Sequence, residues 1–156
     1  MLPLIFQGMT MKFNGSFAVT TQRHVAFERM SDPEFLITII PDVVEAAKID
    51  QHTIHAVIKA GLSFIKGKFR TSIILKNEVD DTALTVKGSG NGSGSSMGFL
   101  VNISLADDVS GTLVNWDAEI NISGSAATLG QRMIDKAARN YVDRLIESFR
   151  KSLGEP

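Results

Sequence analysis

The sequence predicts an α+β fold: a curved antiparallel sheet of seven strands wrapped on one long C-terminal helix, with two short helices after the first strand. Three observations carry this. The closing stretch, Ala126 to Lys151, is apolar on one face at helical period. The region from Val43 to Ile122 contains only strand-length segments separated by turn residues. Those strands are dry on one side and wet on the other, so the helix is the cover they lack.

Lys12 to Thr20 alternates, with Phe13, Gly15, Phe17 and Val19 on one side and Asn14, Ser16, Ala18 and Thr20 on the other, which predicts a half-buried strand. Thr20 or Thr21 is placed to cap a short helix, Gln22 to Met30. Asp32 is the expected cap of a second helix with Pro33 at its first position, where a missing N–H costs nothing, and Pro41 bounds that helix. Phe35, Leu36, Ile39 and Ile40 make it unusually apolar for its length, so something must cover it.

Six strands follow: Val43 to Ile49, Thr53 to Ala60, Gly67 to Lys76, Ala83 to Gly90, Gly98 to Ala106 and Thr112 to Ile122. Their short polar connections imply an antiparallel meander. Phe69, Thr71, Ile73 and Leu75 oppose Lys68, Arg70 and Ser72; Val114, Trp116, Ala118, Ile120 and Ile122 oppose Asn115, Asp117, Glu119 and Asn121. The first member of each contrast is the expected inner face.

The closing helix, with Ser125 as its expected cap, is about 40 Å long at ~1.5 Å per residue, enough to cross a sheet. Ala127, Ile134, Ala137, Ala138, Tyr141, Leu145 and Phe149 form its apolar face. The first half of that face is small and the second is large and partly aromatic. Small residues either admit a close backbone or leave room, and that choice governs function.

A chain of 156 residues with 44% hydrophobic content forms one domain with a real core. Its net charge of −1 argues against broad nucleic-acid binding, although Arg132, Lys136, Arg139, Arg144, Arg150 and Lys151 make the last helix locally basic. Without cysteine there is no disulfide, thiolate metal site or cysteine nucleophile. The opening MLPLIFQGMTM has no basic leader, so the expectation is a cytoplasmic protein with at most peripheral contact at the inner membrane face. Met9 and Met11 both suit a start, and residues 1–11 are read as an N-terminal extension or cloning remnant preceding a single domain over 12–153.

Gly88, Gly90, Gly92 and Gly94 recur every second residue, which strips side chains from one strand face. They match neither a phosphate loop nor a dinucleotide fingerprint. A flexible hairpin and a bare face that makes room for helix or ligand are the two readings. His52 and His55 point to opposite sides of a strand, and His24 with Glu28 suits a surface pair, so no metal site is expected. No nucleophile elbow, zinc-protease motif or catalytic triad is present, so no cofactor and no catalytic residue is expected.

The opening MKFNGSF, the segment SDPEFLITIIPDV, the strand start IKGKF, the alternating GSGNGSG, the strand WDAEINISG and the closing helix together resemble the family of the carbon monoxide dehydrogenase G protein over about Lys12 to Leu153. That family belongs to the helix-grip superfamily shared with START lipid-transfer domains and the birch pollen allergen. The resemblance implies a hydrophobic cavity between sheet and terminal helix, and an accessory role beside a molybdenum hydroxylase of the carbon monoxide dehydrogenase type. Some members carry a C-terminal extension toward the membrane; the sequence ends at Pro156, so permanent anchoring is not expected.

The reading that follows is a non-enzymatic protein that encloses a quinone or lipid-like molecule. Phe35, Ile39 and Phe64 are assigned to the entrance. Phe69, Ile73, Phe99, Val101 and Trp116 are assigned to the sheet wall, and Ile134, Ala137 and Tyr141 to the helix wall. The Tyr141 hydroxyl is expected to orient a ligand carbonyl. Two alternatives stay open: a ligand-free assembly factor docking a partner through its basic helix, and a cyclase or aromatase-type enzyme.

Overall fold

The computed structural model describes residues 8–59, 67–79 and 81–155. The chain runs β1 (Gly8–Val19), α1 (Arg23–Met30), α2 (Pro33–Ile39), β2 (Val43–Asp50), β3 (Thr53–Lys59), β4 (Lys68–Val79), β5 (Ala83–Gly92), β6 (Ser95–Asp108), β7 (Gly111–Gly124), a 3₁₀ helix (Ser125–Leu129) and α3 (Gln131–Ser152). The strands form one seven-stranded sheet in the order β1-β7-β6-β5-β4-β3-β2. Every neighbouring pair is antiparallel. β2 to β7 is therefore the predicted meander, and β1 adds beside β7.

Three boundaries differ from the sequence reading. β1 starts at Gly8, with Met9 opposite Ile122 and Met11 opposite Ile120. Met11 is only 4% exposed, so Gly8 to Met11 are part of the sheet and not of an extension. Met9 and Met11 continue the inner-face alternation of Phe13, which the concern over the start codon hid. The closing helix begins at Gln131, because Gly130 holds φ 92, ψ 152, a left-handed conformation that ends one helix and starts another. Ser125 consequently caps nothing in α3; its N–H donates to the Gly94 carbonyl. α1 has no side-chain cap from Thr20 or Thr21. Instead the Glu155 carboxylate accepts from both backbone N–H groups at 2.8 and 3.1 Å and from the Thr21 hydroxyl at 3.0 Å. At α2 the expected cap is present, with Asp32 accepting from the Glu34 N–H at 3.0 Å.

The alternation sets the inner face as expected: Thr71, Ile73 and Leu75 of β4 and Val114, Ala118 and Ile122 of β7 are buried. Apolar packing gathers in three groups. One joins Val19, Leu84, Leu105 and Val114 of the sheet to Phe27 and Met30 of α1, Ile39 of α2 and Phe149 of α3. The second holds Met11, Phe13, Ala118 and Ile122 under Ile134. The third holds Ile54, Ala56 and Ile73 under Leu36, Ile37 and Ile40 from α2 and its C-terminal flank. Each full burial of a side chain of this size stabilises by about 1.5–3 kcal/mol.

Candidate ligand-binding site

Between these three groups lies the middle of the inner sheet face. Val86 of β5, Phe99, Val101 and Ile103 of β6 and Trp116 of β7 point inward there, yet all are only part-buried. The facing residues of α3, Ala137, Ala138 and Tyr141, are part-buried as well. The backbone of α3 draws close to β1, α2 and the 3₁₀ helix. The sheet is thus gripped at its margins, while its central apolar residues keep accessible surface beneath the small half of the helix.

The glycines show how that space is furnished. Gly88 is the cross-strand partner of Phe99, and a Cβ on it would collide with the Phe99 ring. The ring therefore folds down over its glycine neighbour instead of standing up toward α3. Gly15 does the same for Trp116: a Cβ there would sit 2.8 Å from the indole Cζ2. Gly94 has a different task, since Ser93 (φ 52) and Gly94 (φ 74) form the β5–β6 hairpin turn. The bare-face reading and the hairpin reading each describe part of the run.

The assigned wall residues fall into the three groups. Ile73 and Phe99 meet in one, Val101, Trp116 and Ile134 in another. Ile73 at 8% and Ile134 at 4% exposure face closed packing, whereas Phe69 and Ala137 are part-buried. Phe35 and Ile39 pack into the core around Phe149, with Phe35 edge-on to that ring at 6.1 Å. Phe64 lies outside the described residues. Trp116 carries a polar anomaly: its Nε1 is buried with no hydrogen-bond partner. An unpaired buried donor costs about 1–3 kcal/mol.

Tyr141 departs from its expected role. Its hydroxyl donates to the Pro41 carbonyl at 2.9 Å, so the proton reserved for a ligand is already engaged. Burial, reinforced by the negative charge of Asp42, raises its pKa well above the ordinary phenol value, so the hydroxyl stays a donor. One turn further along α3, Arg144 grips Asp42 through two bonds of 3.0 and 2.8 Å. Those bonds hold the Asp42 carboxyl below its usual range. Sequence reading missed this pair because the two residues are remote in the chain; the only signal was Arg144 sitting one turn after Tyr141.

On the opposite side of the sheet an open depression of ≈ 580 Å³ is lined by outward side chains of Asn14, Thr85, Asn102, Ser104, Asn115 and Asp117. Asn102 donates to Asp117 across the strands at 3.1 Å. This is a solvated polar face, in contrast to the apolar interior. Among the described residues no group of three or more His, Cys, Asp or Glu side chains is placed to hold a metal ion. Among the same residues no helix is long and apolar enough to cross a membrane.

A long terminal helix held against a curved antiparallel meander, with apolar residues left accessible between them, defines a START-like helix-grip domain. The family model for CoxG, the carbon monoxide dehydrogenase G protein, matches residues 15–154, and the chain belongs to that family. Among solved structures, a conserved protein from Geobacillus kaustophilus is similar at a TM-score of 0.85 and 19% identity, with 92% of this chain and 95% of that one covered. A START superfamily protein from Mycobacterium smegmatis aligns at 0.62 and 8% identity, covering 91% and 94%. The di-domain ARO/CYC StfQ of the steffimycin biosynthetic pathway aligns at 0.65 and 10% identity, covering 91% of this chain and 50% of that one. No curated protein matches the sequence.

Proposed function

We propose that this protein binds one apolar small molecule, a quinone or lipid-like compound, between the sheet and α3, and does so without catalysing a reaction. The observation that carries the reading is the part-burial of Val86, Phe99, Val101, Ile103 and Trp116 in the middle of a face whose margins are closed. Apolar burial supplies the affinity, at about 25 cal/mol per Å² of ligand surface removed from water, before ordering costs. The unpaired Trp116 N–H on this otherwise apolar wall suits a ligand that carries an acceptor, which favours a quinone carbonyl over a plain hydrocarbon. Membership of the CoxG family supports an accessory role beside a carbon monoxide dehydrogenase-type molybdenum hydroxylase.

The cyclase reading has its support in the likeness to the ARO/CYC fold. It needs an acid or base aimed into the space, and the nearest polar groups are already used: Tyr141 donates to Pro41, and Thr71 donates to the Ala56 carbonyl at 2.8 Å. Native mass spectrometry of the protein purified from its own organism, followed by organic extraction, tests the binding reading. A stoichiometric quinone or lipid supports it. An unshifted mass, also after incubation with quinones and fatty acids, moves the choice to the ligand-free factor that docks a partner through its basic helix.

A further inference from the structure

The turn between α2 and β2 is held more tightly than a surface connection requires. Pro41 accepts the Tyr141 hydroxyl at 2.9 Å, and Asp42 takes both guanidinium nitrogens of Arg144 at 3.0 and 2.8 Å. From the other side, the Lys59 N–H at the end of β3 donates to the Asp42 carbonyl at 2.9 Å. Asp42 holds φ 63, a left-handed conformation that side-chain-bearing residues adopt uncommonly. One two-residue turn thus ties α3 to β3, and its backbone is retained in a costly shape by groups from both.

The element this turn controls is α2. Leu36 and Ile37 of that helix, with Ile40 just beyond it, lie over Ile54, Ala56, Ile73 and Phe99, so α2 covers the β3–β6 side of the space described above. At its other end α2 is joined to α1 by a short turn, and its Phe35 leans on Phe149. Arg144 and Asp42 keep substantial exposure, at 43% and 28% of their side chains, so the pair is open to solvent and can be undone without exposing the core. A cover hinged at one end and tied by a solvent-exposed bidentate pair at the other is built to be released.

We infer that Arg144 and Asp42, with Tyr141, are positioning residues that latch α2 over the ligand space and set how fast a ligand enters and leaves. The gating part rests on the binding reading above; the latch itself does not. The pair acts on the path and not on the bound ligand, so it changes both exchange rates together and leaves the equilibrium affinity alone.

Two measurements on the full chain decide it. Hydrogen–deuterium exchange of the α2 amides compares the parent with Arg144→Ala, Arg144→Lys and Asp42→Asn, the last chosen because Asn tolerates the left-handed backbone. Arg144→Ala is expected to speed exchange in α2 by about five- to tenfold while β5 to β7 stay unchanged, and the two conservative variants by about twofold. Stopped-flow uptake of decylubiquinone, read through Trp116, the single tryptophan, is expected to show both rates raised in Arg144→Ala with the dissociation constant unchanged within about twofold. Unchanged α2 exchange, or faster exchange over the whole sheet, overturns the latch. A released α2 with unaltered quinone rates overturns the gating role. If the parent takes up no quinone, the binding reading fails and gating with it, while the exchange data still decide whether the latch exists.

Discussion

The C-terminal half of α3 ends in Phe149, which is 3% exposed and meets the rings of Phe17 and Phe35 edge-on at 6.3 and 6.1 Å. Its N-terminal half presents Ala137 and Ala138 to a sheet region where Val101 and Trp116 stay part-buried. One helix therefore packs as a core element at one end and as a roof at the other. The aromatic end also gathers α1, α2 and the ends of β5, β6 and β7, so much of the fold's cohesion is placed where no ligand would go. An interior that must exchange its contents needs its stability elsewhere, and this division supplies it.

Truncation at the packed end breaks the comparison most severely. Phe149→Ala leaves a cavity among buried rings and is expected to cost about 3–5 kcal/mol in denaturant unfolding. Gly88→Val is expected to cost about 1–3 kcal/mol, because its Cβ displaces the Phe99 ring. The displaced ring has only the proposed ligand space to enter, so quinone uptake should fall with it. Ala137→Phe sharpens the contrast: filling empty space should change stability by less than about 1 kcal/mol and abolish uptake, whereas a filled core would be overpacked by about 1–3 kcal/mol.

The smallest effect concerns Glu155. Desolvation raises its pKa, but the bonds from Thr20 and Thr21 outweigh this and leave it below the ordinary carboxylate value. A lowered folded pKa gives stability that is present at neutral pH and is lost as pH falls through the folded value. Glu155→Gln should therefore be less stable than the parent at neutral pH, and the difference should vanish in acid. Unfolding midpoints measured across that range check it.

Much of this was legible in the sequence because period-two and helical patterns report burial directly. The seven strands, the inner faces of β4 and β7, the Asp32 cap and the family all followed from such patterns. What escaped were features fixed by contacts remote in sequence. Met11 entered the sheet because β7 was there to pair with it. Glu155 replaced Thr20 and Thr21 at the start of α1 by reaching back across the fold. Gly130 was read as one small residue in a continuous apolar face, and its left-handed backbone shortened α3. Tyr141 was rightly expected to need a hydrogen-bond partner when buried. That partner was a carbonyl of this chain, which spacing along one helix does not reveal.

The middle of the sheet–helix interface is proposed as room for a ligand and not as filled core, and everything said of function depends on that. Titration of Trp116 fluorescence with decylubiquinone tests it most directly, with N-acetyl-tryptophanamide correcting for collisional quenching and Ala137→Phe run in parallel. The expected result is saturable quenching at one equivalent in the parent chain and none in Ala137→Phe at equal stability. Quenching no greater than that of the free indole in the parent, or equal saturation in both proteins, would contradict it.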